Sequence, residues 1–151
     1  MRRFSLCPDA VAKIHGGEQA PCLKGSVKFY QLPGGVLVEA ELTGLPSQPP
    51  SGFFAFHIHE KGDCSGEGFP NTGGHYDPES RPHPFHAGDL PPLLSCKSGA
   101  YLAVITGRFC VKDVIGRSVV IHAGPDYLHS QPAGNAGARI ACGVIRKPGC
   151  R

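Results

Sequence analysis

Six of the eight histidines and one aspartate fall where they could bind metal. His57 and His59 sit two apart in the apolar run Gly52-Phe53-Phe54-Ala55-Phe56-His57-Ile58-His59. His75, His83, His86 and Asp89 follow, and His122 closes a second apolar run, Ser118-Val119-Val120-Ile121-His122. Alternate residues of a strand share a face, so His57 and His59 can hold one ion together while Phe56 and Ile58 point into a core. His122, ending another strand, could close that site from a neighbour. The plainer reading, two imidazoles that merely line a sheet face, leaves buried polar groups without partners.

The spacing His75-x7-His83-x2-His86-x2-Asp89 makes a second donor set. Three imidazoles and a carboxylate suit tetrahedral zinc, whereas the plain alternative is a histidine-rich surface loop. His57, His59 and His122 bring neither thiolate nor carboxylate, and copper(II) favours such a nitrogen site. The donors exceed the needs of one ion and suffice for two ions that share a ligand. His75 could join them by using both ring nitrogens, because two divalent cations sharply lower the pKa of the second.

Strands must position these residues. Short alternating or apolar runs over 10–14, 26–32, 36–42, 53–59, 90–96, 101–106, 117–122 and 138–145 predict about eight of them. Pro33-Gly34-Gly35 marks a hairpin between the second and third. Pro91 and Pro92 confine the fifth to an edge. No window shows a sustained, capped helical period. Segments 60–89 and 123–137 read as long functional loops, the first holding most of the donors.

Composition agrees with a single all-β domain over 1–151, with 1–9 as an N-terminal extension and 146–151 as a C-terminal tail. Hydrophobic residues make up 40%, and 21 glycines and 15 prolines suit short strands joined by turns. The net charge of +3 comes without a basic run, so nucleic acid is not an expected partner. No stretch could span a membrane. Arg2 and Arg3 are followed by Pro8 and Asp9 rather than an apolar core, so the chain as written reads as cytoplasmic, or as exported or periplasmic if a leader is missing. Seven cysteines are many for a reduced compartment, and the odd number leaves at least one free or paired between chains.

Ala55-Phe56-His57-Ile58-His59-Glu60-Lys61-Gly62-Asp63-Cys64 resembles the first copper motif of the copper/zinc superoxide dismutases, and Gly134-Asn135-Ala136-Gly137-Ala138-Arg139-Ile140-Ala141-Cys142-Gly143-Val144-Ile145 resembles their second. Gly74-His75-Tyr76-Asp77-Pro78 and His86-Ala87-Gly88-Asp89-Leu90-Pro91-Pro92-Leu93 are similar to the zinc loop, especially that of bacterial members. The resemblance implies an eight-stranded Greek-key β-barrel or sandwich. It implies copper on His57, His59, His75 and His122, and zinc on His75, His83, His86 and Asp89. It also implies a Cys64–Cys142 disulfide, an arginine at 139 that guides an anionic substrate, and Asp126 as the acid that links the two ligand shells.

The implied activity is disproportionation of superoxide to dioxygen and hydrogen peroxide, with copper cycling, zinc redox-silent, and His75 carrying a proton on the nitrogen that faces copper. A non-catalytic copper-binding or copper-delivery relative is the alternative, and a homodimer is among the expected assemblies. Phe54 stands where many members have a histidine. The 123–137 segment has few charges, contributing Asp126 and an unmatched His129. Cys7, Cys22, Cys96, Cys110 and Cys150 lie outside the family pattern. Their pairing is left open: Cys7 and Cys150, at the termini, could approach each other or link chains, whereas Cys96 and Cys110 read as buried thiols or an added bridge. His15 and His129 are expected to be exposed turn residues.

Overall fold

The structure is a computed structural model that describes residues 7–149. Any pairing of Cys150, and the ends of both terminal extensions, lie outside the described residues.

Seven antiparallel strands form one sheet: β1 (Ala10–Gly16), β2 (Lys24–Leu32), β3 (Gly35–Thr43), β5 (Phe56–His59), β7 (Ala100–Thr106), β8 (Ser118–His122) and β9 (Arg139–Arg146). Their order is β5-β8-β9-β1-β2-β3-β7. A small ladder of β4 (Phe53–Phe54) and β6 (Leu93–Leu94) stands between the two ends of that sheet. β4 runs into the β5 edge and β6 lies beside β7, so the ladder closes the curled sheet toward a barrel.

The period-two pattern places the core. Ala10, Ala12 and Ile14 of β1, Val27 and Phe29 of β2, and Val36, Val38, Ala40 and Leu42 of β3 point inward together. Phe56 and Ile58 join them, so His57 and His59 take the opposite face of β5.

Two expected strands come out differently. The 53–59 run breaks at Ala55, whose N–H donates to Gly124 O while its carbonyl accepts from His122 N–H. The chain changes partner there, from β6 to β8. The 90–96 run shortens to Leu93–Leu94, because Pro91 and Pro92 offer no N–H to a ladder. A one-turn helix, α1 (Val111–Val114), was not expected; the Asp113 side chain accepts from Cys110 N–H at its start, a local capping contact too short to show as a period.

The expectation for Cys96 and Cys110 is overturned. Both are exposed free thiols, as are Cys7 and Cys22. Cys96 sits in a tight turn against Gly99, and Cys110 caps α1, so neither side chain turns inward. His15 is exposed but lies on the outer face of β1 rather than in a turn, whereas His129 is an exposed turn residue.

The 60–89 segment folds back along the free edge of β5. Tyr76 N–H donates to Ile58 O at 2.8 Å, Ile58 N–H to Gly88 O at 2.9 Å, and Glu60 N–H to Gly74 O at 2.9 Å. The loop thereby covers the histidine face of β5, and His57 and His59 are 0% and 1% exposed. No helix among the described residues is long and apolar enough to cross a membrane.

Candidate metal centre

β5 supplies His57 and His59, β8 supplies His122, and the folded-back loop supplies His75 opposite them. In each imidazole of the strand group one nitrogen is engaged and the other turns inward. His57 Nε2–H donates to Asp126 Oδ2 at 2.7 Å, His59 Nδ1–H to Gly73 O at 2.9 Å, and His122 Nδ1–H to Gly137 O at 3.2 Å. Those bonds fix the tautomers. His57 Nδ1 is then buried with no partner, and His59 Nε2 faces His122 Nε2 at 3.3 Å, two lone pairs opposed.

His75 stands between this group and the next. Its ring lies 3.9 Å from the His57 ring, centre to centre. Its Nε2 is buried and unpartnered, and its Nδ1 is 2.8 Å from Asp89 Oδ1 and 3.3 Å from His86 Nδ1. His83 Nδ1 faces Asp89 Oδ2 at 3.0 Å, while His83 Nε2–H donates to Asp126 Oδ1 at 2.7 Å. Thus one carboxylate, Asp126, holds a histidine of each set.

One ligand atom from each of His57, His59, His75 and His122 lies within 4.8 Å of the others, and the same holds for His75, His83, His86 and Asp89. Buried lone pairs that converge without protons to share repel one another, and a bound cation removes that repulsion. The first set offers four nitrogens, as copper favours; the second offers three nitrogens and a carboxylate, as tetrahedral zinc favours. The residues present fit both ions.

The protonation states agree. Burial, with His122 alongside, pushes His59 down to about 2, and burial with His57 alongside pushes His122 down to about 3. His57 is lowered as well, chiefly by burial. All three are neutral near pH 7, as ligation requires. Burial alone would raise Asp89 and Asp126. The hydrogen bond with His75 in the first case, and those with His57 and His83 in the second, outweigh it and hold both below the usual carboxylate range.

Arg139, at the start of β9, reaches the same place. Its Nη1 donates to Phe69 O at 2.9 Å and Thr72 Oγ1 at 2.8 Å, and its Nη2 donates to Gly73 O at 2.9 Å. Gly73 O also takes the His59 bond, so one carbonyl ties the guanidinium to a histidine of the first set. A cleft of roughly 380 Å³ opens onto His59, His75 and His122, and Arg139 is the one lysine or arginine among its described lining residues.

A model of the copper/zinc superoxide dismutase family matches residues 23–145. The chain belongs to the copper/zinc superoxide dismutase family. Among curated relatives, a Cu-Zn superoxide dismutase of Legionella pneumophila is 37% identical over 95% of this chain and 90% of its own length. One from Caulobacter vibrioides is 38% identical over 91% and 84%. The human extracellular Cu-Zn superoxide dismutase is 37% identical over 83% of this chain and 56% of its own length.

In this member of the family the Cys64–Cys142 disulfide is formed, with the two Cα atoms 5.8 Å apart. It packs with Phe69 and Val120 outside the main core and ties the loop that carries Thr72 and Gly73 to β9. All seven histidine and aspartate positions singled out from spacing converge. Sequence reasoning missed Thr72, Gly73 and Gly137, which act through loop backbone or a lone hydroxyl, and Asp77, whose Oδ2 lies 4.0 Å from His86 Nε2. Nothing in spacing marks a carbonyl, although Asp77 and Gly137 both lie inside the motifs that carry the family resemblance.

Proposed function

We propose that the chain disproportionates superoxide: two superoxide anions and two protons give one dioxygen and one hydrogen peroxide. The observation that carries this reading is His75, one ring with a nitrogen turned to each donor set. His57, His59, His75 and His122 would hold copper, and His75, His83, His86 and Asp89 would hold zinc. When bound, copper supplies one-electron cycling and zinc supplies a fixed positive charge without redox change.

The chain's own residues do the rest. Arg139 draws a small anion into the cleft and orients it, its guanidinium held by three loop acceptors. His75 Nε2 takes up a proton and hands it on, while Nδ1 stays engaged beside Asp89. Asp126 keeps His57 and His83 in their tautomers. The complete four-nitrogen set and a cation at the cleft favour catalysis over copper delivery.

The deciding experiment measures metal content and superoxide disproportionation before and after selective copper removal. Activity that tracks copper supports the assignment; activity indifferent to copper overturns it. The reading extends to an exported protein, supported by a formed disulfide of the kind that persists in oxidising compartments. It extends also to a homodimer, which sedimentation of the purified protein checks.

A further inference from the structure

The two halves of the centre are built differently. Three copper-side histidines stand on strands, whereas His83, His86 and Asp89 lie on a stretch with almost no regular structure. We propose that Arg108 and Gln131 are positioning residues for the zinc half: they hold the main chain from His83 to Asp89 in its ligand-ready shape. The proposal rests on the assignment of zinc to His75, His83, His86 and Asp89.

Gln131 grips His83 as a neighbouring strand would. Its Oε1 accepts from His83 N–H at 3.0 Å and its Nε2 donates to His83 O at 2.6 Å. From the same loop Asp126 holds the His83 ring, so main chain and side chain are fixed together. Arg108 works from the other side. Its Nη1 donates among Pro84 O at 2.8 Å, His86 O at 3.2 Å and Asp89 O at 3.3 Å. Among the described residues, no main-chain donor reaches the His83 or Pro84 carbonyl.

The arginine is itself anchored. Its N–H donates to Thr106 Oγ1 at the end of β7, and the next residue, Phe109, is buried edge-on to Phe29 of β2. Arg108 therefore couples the loop to the barrel core. Neither Arg108 nor Gln131 contributes a ligand atom, and neither lines the cleft that Arg139 enters. Their effect must run through the shape of the loop.

A loop released from these contacts keeps its donors but samples other arrangements, and the ion must then order it on binding. Loss of an outer partner commonly weakens metal binding about 10–100-fold. The copper-side strands need no such support, so the loss should fall on zinc alone.

The test uses the full chain stripped of metal. Zinc affinity is read by competition with a chromophoric chelator, and cobalt(II) absorption reports tetrahedral geometry in the same set. Copper affinity is measured with no zinc present. Arg108→Met and Gln131→Met should each weaken zinc about 10–100-fold and dim the cobalt bands, with copper affinity within about 2-fold of the parent. Arg108→Lys keeps the charge without the planar fork, and should fall between parent and Arg108→Met; it also serves if the methionine variant fails to fold. Zinc affinity within about 2-fold of the parent, or equal losses of zinc and copper, would overturn the proposal. A parent chain that takes up no zinc at all would overturn the ligand assignment together with it.

Discussion

Arg139 has two tasks, which salt dependence and metal content tell apart. Its guanidinium is the cation of the cleft, and it also braces Phe69, Thr72 and Gly73. Arg139→Ala should slow superoxide turnover about 10-fold at low salt, with a smaller deficit at high salt where the field is screened anyway. Pulse radiolysis across ionic strengths, paired with metal analysis, reads this; unchanged turnover and salt slope would remove the steering role. Asp126→Ala frees His57 and His83 at once and should cost zinc before copper, by about 10–100-fold in affinity. Full zinc occupancy against a competing chelator would speak against it. The buried histidines also give the metal-free protein a pH dependence. His59 and His122 titrate near 2 and 3 when folded, against 6.5 when free. Between those values the unfolded chain binds more protons than the folded one, so stability is full above about 6.5 and falls as pH drops toward 3. The slope approaches about 1.4 kcal/mol per pH unit for each group. Melting curves of the stripped protein from pH 8 to pH 4 should show Tm falling throughout the acid half; a flat profile would mean these rings are not held neutral.

At the scale of elements, the centre depends on loops that approach closely where no side chain could fit. Gly134 has φ +73°, and a Cβ there would collide with Asp126 Oδ1 and lie 2.8 Å from His83 Nε2. Gly134→Ala should therefore push apart the pair that joins the loops. Destabilisation of at least about 1 kcal/mol, with zinc content reduced, is the expected outcome of thermal melts and metal analysis. Gly88 plays the matching part on the other loop, where a Cβ would strike Ile58 O and break the pairing with β5. The break at Ala55 belongs here too. Because the chain leaves β6 for β8 at that residue, Phe54 stays buried in the core while His57 opens onto the centre.

The whole molecule is a barrel with its chemistry on the outside, under two loops. Covalent closure matters because the loops carry little core of their own. Cys64 and Cys142 are 78 residues apart, and chain-entropy models give about 4 kcal/mol for a loop of that size as an upper-end value. Cys64→Ser should lower Tm by about 10 °C and make the remaining stability indifferent to reductant. A parent protein whose melt is equally insensitive to reductant would show that the bridge contributes nothing.

The donor positions were legible from sequence because the side-chain alternation of a strand is local: His57 and His59 share a face whatever surrounds them. The core strands were legible for the same reason, through Val36, Val38, Ala40 and Leu42. The split at Ala55 was not, because it records a change of partner strand, which local pattern does not encode. Cys96 and Cys110 misled because a cysteine's type says little about whether a turn or a cap will expose it. Gly73 was invisible because it acts through a carbonyl that every residue carries, and Thr72, Arg108 and Gln131 because the groups they meet are loop main chain or a distant side chain that spacing does not mark. Sequence by itself determined which atoms could ligate, since residue type and spacing set that chemistry. Only the tertiary structure decided which nitrogen of each ring faces inward, because that depends on hydrogen bonds the rings donate to Asp126, Gly73 and Gly137, all remote in the chain from the rings they orient.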